Sequence, residues 1–272
     1  MVVGLLMVGG GIAAGLFGSL LGLGGGVLIV PLLTLGFGLP LHQAVGVSLV
    51  CVIMTSSASS GVYLERHLAN LRLGMTLELF TAIGALIGGS IAFLLDERVI
   101  EGLFAAVLGY VAVTMLIGGR ATPGDTETPP ATEPSDLPET AAGGLSGEGY
   151  RVRRLPLGLV GSTGAGVASA LFGIGGGIIK VPVMHLAMGI PLHVATATSN
   201  LMIGITASAS ALIYLARGEI DPYVAGPAAI GVFLGATIGS RVSGRVDPRI
   251  LRLLFVAILA YTAVQMLLKA MG

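Results

Sequence analysis

The chain has 272 residues, of which 54% are hydrophobic and 10% are charged, and its formal net charge is zero. This composition excludes an ordinary water-soluble domain, because a soluble core cannot bury so much apolar surface. A bilayer can, through runs of roughly 20 apolar residues that cross about 30 Å of hydrocarbon. The chain is therefore predicted to be an all-α polytopic membrane protein, with the lipid bilayer as its surroundings. No nucleic-acid partner, cofactor or metal is predicted, and the single cysteine, Cys51, excludes a disulfide framework.

The chain begins with an apolar segment that lacks the basic residues of a cleaved signal peptide, since the first 20 residues contain no Lys or Arg. This segment is therefore predicted to be the first membrane helix. In the first half of the chain it is followed by four more apolar segments. The five segments cover residues 2–21, 27–37, 44–64, 75–95 and 99–118.

The second apolar segment is too short to cross a membrane. Eleven helical residues rise about 16 Å, which is roughly half of the hydrocarbon thickness. Gly-rich chain precedes the segment and the turn Gly38-Leu39-Pro40 follows it. The pattern predicts a half-length or broken helix, a feature that marks the substrate site in many secondary transporters.

A polar stretch separates the two halves of the chain. Residues 121–149 contain five prolines and six acidic residues but no basic residue, which is typical of a flexible, solvated linker. The predicted division is a first membrane repeat at 1–119, an acidic linker at 120–153 and a second membrane repeat at 154–272.

The second half repeats the first. At an offset of 151, residues 15–116 align with 166–267 without a gap, and more than a third of the 102 positions are identical. The second repeat is therefore expected to contain the same five segments.

Basic residues predict how the two repeats are oriented. If each repeat crosses the membrane an odd number of times, the second is inverted and ten of the arginines in the loops face the cytoplasm, against three basic residues outside. An even number of crossings would place eight basic residues in the cytoplasm and five outside. The positive-inside rule favours inverted repeats, with both termini outside and the linker in the cytoplasm. Five crossings for each repeat, or three with a re-entrant hairpin, both satisfy this argument.

Each short segment follows a glycine triplet and contains a proline, Pro31 in the first repeat and Pro182 in the second. Glycines bring the backbone close to a ligand, and the start of a helix presents unpaired N–H groups and a positive dipole end. Two inverted copies could hold an oxyanion between them. The alternative is that the glycines only allow close helix packing. The candidate residues are Gly24, Gly25, Gly26, Gly175, Gly176 and Gly177.

Two other glycine pairs, Gly84/Gly88 and Gly235/Gly239, have the spacing of closely crossing membrane helices and are assigned to packing.

Polar residues near the short helices could also bind an anion. Lys180 is a full charge inside an apolar run, where the first repeat has Ile29, and intramembrane charges are functional by default. The alternative is a lysine that extends to the interface. Hydroxyl or amide donors are offered by Ser48, Thr198, Ser199 and Asn200, although Ser and Thr in membrane helices often bond to their own helix.

Three titratable residues are candidates for a proton relay. His42 and His193 lie in the repeated turn and could carry protons, or could simply be polar interfacial residues. Glu78 lies one turn into its segment, where we expect it to stay hydrated near an interface. His185 is a weaker candidate, and no catalytic pair or metal-ligand spacing is found.

The glycine triplets with their prolines, the Gly-x-Pro-x-His turns and the Ala-x-x-x-Ser segments that follow resemble the TauE/SafE family of sulfite exporters. The resemblance covers both repeats. It implies transport of small sulfur-containing anions, such as sulfite or organosulfonates, across the bacterial inner membrane.

These observations together predict a secondary transporter that moves a small oxyanion by alternating access. A passive anion channel would need the same donors without a closed two-sided site. An intramembrane enzyme or assembly factor, with Lys180 and His185 as working groups, is the alternative from another class, but the chain lacks a catalytic pair and is not expected to be an enzyme.

Overall fold

The computed structural model describes residues 2–21, 25–65, 70–117, 152–242 and 248–271. In these ranges the chain is helical apart from short turns, and no strand occurs. Eight of the described helices are long and apolar enough to cross a membrane. The predicted all-α polytopic fold is therefore confirmed. Most of the predicted linker lies outside the described residues, as do residues 22–24.

The two halves contain the same helices in the same order. In the first half these are α1 (Val2–Leu21), α2 (Gly26–Pro31) continued by the π-helix π1 (Leu32–Gly36), α3 (Leu41–Glu65), α4 (Leu71–Ala92) and α5 (Glu97–Ile117). In the second half they are α6 (Leu155–Phe172), α7 (Gly177–Pro182) continued by π2 (Val183–Ala187), α8 (Leu192–Ala216), α9 (Pro222–Val242) and α10 (Pro248–Met271). Within the described residues each half therefore has four long helices and one short, interrupted helix. The predicted half-length helices after the glycine triplets are confirmed.

Glycine and proline explain why α2 and α7 are short. Gly25 and Gly176 precede these helices with φ angles of 72° and 74°, which only glycine adopts without strain. Pro31 and Pro182 end the α-helical part, because proline has no N–H and its ring crowds the preceding turn. The chain continues in the wider π-helical turn, which relieves this conflict.

Close helix crossings join the two halves. Gly231 and Gly235 of α9 lie against Val8 and Ile12 of α1, so that a methyl group on either glycine would overlap a backbone carbonyl oxygen. The symmetry-equivalent crossing, which also joins the two halves, brings Gly84 of α4 against Thr163 of α6, and Gly88 against Val167. The assignment of Gly84, Gly88, Gly235 and Gly239 to packing is confirmed, and both crossings are parallel because the residue numbers increase together.

The long helices α3 and α8 form the buried centre of the molecule and run antiparallel. Gly46, near the start of α3, contacts Glu219 beyond the end of α8. Farther along α3, the Ser56 hydroxyl donates to the Asn200 carbonyl at 2.6 Å and accepts from the Gly204 N–H at 3.1 Å. Helices with equivalent positions in the two halves therefore point in opposite directions where they meet.

The outer helices repeat this relation. Near the start of α5, Glu101 is 2.7 Å from the Lys269 ammonium near the end of α10. The outward faces of the bundle are apolar, with side chains such as Leu5, Val160 and Leu186 exposed. Such a surface is suited to lipid rather than to water. The polar residues described below are enclosed by these helices.

Candidate functional site

The two glycine segments are in direct contact at the centre of the bundle. A methyl group on Gly26 would overlap the carbonyl oxygen of Gly173. The Ser48 hydroxyl on α3 donates to the same Gly173 carbonyl at 2.8 Å and lies 3.3 Å from the Gly26 carbonyl. The start of α2 is thereby packed against Gly173 and Ile174, the residues that directly precede the second triplet.

The second glycine segment presents backbone donors at the start of α7. Gly175 and Gly176 both have φ angles of 74°, and the chain enters the helix at Gly177. The first backbone hydrogen bonds of the helix are donated by Ile179 and Lys180 to the Gly176 carbonyl, at 3.2 and 3.0 Å. The amides of Gly177 and Ile178 precede these bonds and form the positive end of the helix.

Three buried polar atoms on α6 and α8 make no hydrogen bond with any described residue. They are Ser169 Oγ, Ser199 Oγ and Asn200 Nδ2. Ser199 Oγ is 3.6 Å from the position that a Cβ would take on Gly177, and the Ser169 Cβ is 3.5 Å from the same position on Gly176. A buried donor without a partner costs about 1–3 kcal/mol, so a bound water or a ligand is expected to complete it.

The repeated serines of α3 and α8 differ in their surroundings. Ser48 is bonded to the Gly173 carbonyl, whereas its equivalent Ser199 has no partner among the described residues. Thr198 Oγ1 accepts a hydrogen bond from the Asn70 N–H at 3.0 Å and so joins α8 to the start of α4. Of the predicted donors on α8, Ser199 and Asn200 therefore have unused hydrogen-bonding capacity.

A buried ion pair adjoins the second triplet. Lys180 Nζ donates to Glu78 Oε2 at 3.0 Å and to Thr206 Oγ1 at 2.6 Å. The Thr206 hydroxyl donates in turn to Glu78 Oε1 at 2.6 Å. The three side chains form a closed ring that joins α4, α7 and α8. Lys180 is only 1% exposed and Glu78 only 5%, so the ring is shielded from solvent and lipid.

The ion pair corrects one expectation from the sequence. Glu78 does not stay hydrated near an interface, because the packing of α4 against α6 and α8 buries it beside Lys180. Sequence reasoning named both charged residues but did not pair them, and it did not select Thr206 or Ser169. Thr206 could have been found from the helical spacing, since it lies seven residues after Ser199 on the same face of α8.

His42 belongs to a separate polar cluster at the start of α3. Its Nδ1 is 2.8 Å from Glu97 Oε1, and its Nε2 is 3.0 Å from the Ala92 carbonyl oxygen. The His42 ring stacks on Phe93, with 4.9 Å between centroids, and the Arg217 guanidinium lies 4.9 Å from the centroid of the same Phe93 ring. Both ring nitrogens of His42 are therefore within hydrogen-bonding distance of an oxygen atom.

The remaining candidate residues from the sequence, Gly24, His193 and His185, are not placed at the second glycine segment by the described residues. Gly24 lies outside the described residues, and the side chain of His193 also falls outside them. His185 Nδ1 lies 2.9 Å from the Ile190 carbonyl, so this ring closes the turn after π2 instead of facing the glycine segments.

An apolar cavity of about 420 Å³ lies on the other side of α2, between α1, π1 and α10. Its lining includes Phe17, Leu28, Leu32 and Ile258 and contains no charged side chain. Such a cavity suits a hydrocarbon chain better than an anion. The polar junction around α7 is therefore the better candidate site.

Comparison with known proteins identifies relatives along nearly the whole chain. The family model described as "Sulfite exporter TauE/SafE" matches residues 7–266. No solved structure matches the chain significantly.

The curated relatives are named as transporters. The probable membrane transporter protein YunE of Bacillus subtilis is 26% identical over 254 residues, which cover 88% of this chain and 88% of YunE. A probable membrane transporter protein of Methanocaldococcus jannaschii is 27% identical over 274 residues, with 95% of this chain and 93% of the relative covered. The sulfite exporter TauE/SafE family protein 6 of Arabidopsis thaliana is 33% identical over 98 residues, which are 36% of this chain and 23% of that protein.

Proposed function

Because this chain belongs to the sulfite exporter TauE/SafE family, we propose that it transports a small sulfur-containing oxyanion, such as sulfite or an organosulfonate, by alternating access. Its curated relatives are named as membrane transporters, and its eight candidate spans are those of a multi-pass membrane protein. We assign no enzymatic activity to it.

The observation that carries this proposal is the group of unpaired donors at the start of α7. Ser169 Oγ, Ser199 Oγ and Asn200 Nδ2 are buried and have no protein partner among the described residues. The Ser169 side chain lies beside Gly176 and the Ser199 hydroxyl beside Gly177, so that with the Gly177 and Ile178 amides they are neutral O–H and N–H donors along one segment. Oxyanions accept several hydrogen bonds at once, so a sulfite or sulfonate group would satisfy these donors.

The arrangement of the two halves supports a carrier over a static binding protein. Equivalent helices run antiparallel where α3 meets α8 and where α5 meets α10. Inverted repeats that meet at broken helices allow a central site to open alternately to each side of the membrane. We therefore propose that the repeats are inverted and that the glycine junction is the point about which they move.

The distribution of arginines supports a definite orientation in the plasma membrane, which is the inner membrane of a Gram-negative cell. The acidic linker and most loop arginines would lie in the cytoplasm, with both termini outside. Attachment of an impermeant thiol reagent to Ser135→Cys in a Cys51→Ala background tests this. The cysteine should react only after the cells are opened, and labelling of intact cells would reverse the orientation.

The substrate class is tested with the purified protein in liposomes. Counterflow of radiolabelled sulfite and methanesulfonate is compared with that of sulfate and phosphate. The apolar surroundings of the donors favour anions that lose water easily, so the first two should exchange faster. Equal exchange of sulfate or phosphate would contradict this selectivity. Flux that does not saturate with concentration would indicate a passive channel, and recovery of a chemically altered anion would indicate an enzyme.

The site itself is tested by removal of the unpaired hydroxyls. Ser169→Ala combined with Ser199→Ala should raise the KM for the exchanged anion by about tenfold, because two donors to a charged ligand are lost. Thermal stability should not fall, since neither hydroxyl is bonded to a described residue. Ser208→Ala is the matched control, because Ser208 is also on α8 but donates to the Gly204 carbonyl of its own helix at 2.8 Å. An unchanged KM in the double variant would show that the anion does not bind at these two hydroxyls.

A further inference from the structure

We propose that Glu78 is the proton-binding site of this transporter, and that one proton enters with each singly charged anion because Lys180 exchanges its bond to Glu78 for a bond to the anion. The proposal rests on the proposed function above and adds to it the source of energy for transport. It is carried by the geometry of Lys180, Glu78 and Thr206, by the surroundings of these residues and by the asymmetry between the two halves.

The ring formed by Lys180, Glu78 and Thr206 is electrically neutral, and each of its three side chains is hydrogen-bonded to the other two. Both carboxylate oxygens of Glu78 accept a hydrogen bond, one from the Lys180 ammonium and one from the Thr206 hydroxyl. The threonine oxygen also accepts from Lys180 at 2.6 Å. Burial of a single uncompensated charge in a membrane protein is costly, so the neutral ring is the stable resting state.

Electrical neutrality couples the two ligands. If an anion binds Lys180 while Glu78 is ionised, the buried group carries one net negative charge. If Glu78 is protonated with no anion bound, the group carries one net positive charge. Only the joint arrival of a proton and a monoanion leaves the total charge at zero, so each ligand favours the binding of the other.

In the proposed step Lys180 changes its ionic partner from Glu78 to the anion. The only covalent change is the protonation of Glu78. The carboxylate of Glu78 takes up one proton and becomes a carboxylic acid, and its ionic bond to Lys180 is replaced by that of the anion. The new O–H of Glu78 can donate to the Thr206 oxygen, so that the neutral acid keeps a partner. Release of the anion on the other side returns the proton from Glu78 and restores the ion pair.

The ring lies beside the proposed anion site. Lys180 follows Gly177 by three residues in α7, which is about one helical turn. On α8, Ser199, Ile203 and Thr206 lie on one face, and the side chain of Ile203 contacts both Gly175 and Gly177. The Lys180 ammonium lies at Thr206, which is two turns of α8, about 10 Å, beyond Ser199. Ile203 lies between these two positions, so the anion must move past the Ile203 side chain to exchange with Glu78 at Lys180.

Other titratable groups do not account for the proton. The elements packed around the ring are α4, α6, α7 with π2, and α8, and Glu78 is their only acidic residue. Besides Lys180 they carry three basic or imidazole side chains and one phenol. Arg72 is exposed near the start of α4, His185 bonds to the Ile190 carbonyl, the Tyr214 hydroxyl donates to the Ala170 carbonyl, and the side chain of His193 lies outside the described residues.

The two halves contain one such ring and not two. The positions equivalent to Lys180, Thr206 and Glu78 are Ile29, Thr55 and Ala229, and all three are buried. The equivalent cluster has neither an acid nor a base, so it binds no proton and needs none. One ring for each transporter predicts one proton for each transport cycle.

The experiment measures gradient-driven uptake of radiolabelled methanesulfonate and sulfite into liposomes that contain the full-length protein. Methanesulfonate keeps a single charge at every usable pH, so its own protonation cannot imitate coupling. The wild-type protein should accumulate the anion against its gradient when the interior is alkaline, and a protonophore should abolish this accumulation.

Glu78→Gln is the decisive variant, because glutamine resembles the protonated acid and can still pair with Thr206. Relative to its own rate of counterflow, its accumulation driven by the proton gradient should fall by about tenfold or more. Glu101→Gln is the matched control, since Glu101 is also a buried partner of a lysine, Lys269, but lies between α5 and α10. This control should keep the coupling.

The outcomes separate the two proposals. Proton-driven accumulation by Glu78→Gln at the wild-type level would overturn the coupling role of Glu78, and so would the absence of any effect of a proton gradient on the wild-type protein that exchanges the anion. If neither anion exchanges in counterflow, the proposed function fails and the coupling fails with it.

If Glu78→Gln does not fold, the double variant Glu78→Gln with Lys180→Met, which removes both charges, should fold but bind neither anion. Anion binding by that double variant at the wild-type affinity would also overturn the proposal.

Discussion

The two halves of the molecule have equivalent helices, but the side chains at equivalent buried positions differ in charge and in hydrogen bonding. In the second half α7 and α8 carry Lys180 and Thr206, which meet Glu78 from α4. In the first half α2 and α3 carry Ile29 and Thr55, and the equivalent neighbour on α9 is Ala229. One cluster is an ion pair with a bridging hydroxyl, and the other is apolar apart from a threonine bonded to its own helix at the Cys51 carbonyl.

This difference shows how the two halves of a duplicated membrane protein can become functionally different. Both clusters are buried, so the backbone does not require a charge at either position. A charge that appears at one position and is compensated from the other half therefore indicates a task that the symmetric backbone cannot perform. The predictions that follow compare equivalent residues of the two halves, and each pair tests whether the asymmetry is functional.

The largest effect is expected at the ion pair. Lys180→Met leaves Glu78 as an unpaired buried carboxylate and should lower the free energy of unfolding by about 3–5 kcal/mol. Ile29→Met, at the equivalent position, changes only the shape of an apolar side chain and should cost less than about 1.5 kcal/mol. Thermal unfolding in one detergent measures both. Addition of Glu78→Gln to Lys180→Met should restore most of the loss, and equal stability of the two single variants would refute the ion pair.

The next largest effect is expected at the glycine junction. A methyl group on Gly26 meets the backbone of Gly173, which cannot move aside, so Gly26→Ala should cost about 1–3 kcal/mol. At the equivalent Gly177 the methyl group meets the end of the Ile203 side chain, which can change rotamer, and Gly177→Ala should cost less than about 1 kcal/mol. Gly177→Ala should nevertheless weaken transport, because it narrows the proposed anion site. Stability and counterflow of both variants are measured together, and a reversed order of stability would contradict the contact between the segments.

Smaller changes in stability, different for the two positions, are expected when the repeated serines Ser48 and Ser199 are replaced. Ser48→Ala removes the bond to the Gly173 carbonyl and should cost about 1 kcal/mol of stability. Ser199→Ala removes a buried hydroxyl that has no partner among the described residues, so stability should stay the same or rise slightly. The KM for the anion should rise in Ser199→Ala only. A stability loss in Ser199→Ala as large as that in Ser48→Ala would show that its hydroxyl is bonded within the protein.

The smallest effect is expected at the polar cluster around His42. Glu97 accepts from the His42 ring, but its side chain is 42% exposed, so solvent weakens the attraction. Glu97→Gln should therefore cost less than about 1 kcal/mol of stability near neutral pH. The equivalent position in the second half is Pro248, so the sequence allows no such pairing there. Thermal unfolding of the wild-type protein and of the Glu97→Gln variant in one detergent at neutral pH tests the assignment, and a loss well above 1 kcal/mol would contradict the screening by solvent.

Much of the architecture could be predicted from residue patterns alone. The lengths of the apolar segments predicted the long helices, because the hydrocarbon thickness leaves few alternatives. The glycine triplets and the prolines five residues farther on predicted the short helices, since both residue types limit what the backbone can do locally. The Gly84/Gly88 and Gly235/Gly239 spacings predicted close crossings, although not which helices would cross.

The candidate site was only partly predictable. Lys180 stood out because a lone charge in an apolar segment is rare, and its neighbours on α7 were visible in the sequence. Its partner Glu78 lies 102 residues away on a helix of the other half, and nothing in the local pattern of α4 indicates which helix it faces. The unpaired Ser169 and Ser199 hydroxyls were also hidden, because a free hydroxyl is recognised only when every neighbour is known.

The sequence by itself determined the membrane-spanning helices, the duplication and the two places where a helix breaks, because each of these follows from local composition or from comparison of the chain with itself. Only the tertiary structure decided which side chains meet. It paired Lys180 with Glu78, left Ser199 without a partner among the described residues where Ser48 has one, and brought the two glycine segments into contact. The physical reason is that hydrophobicity and backbone geometry act along a segment, whereas ion pairs and hydrogen bonds depend on distances between segments that only packing fixes.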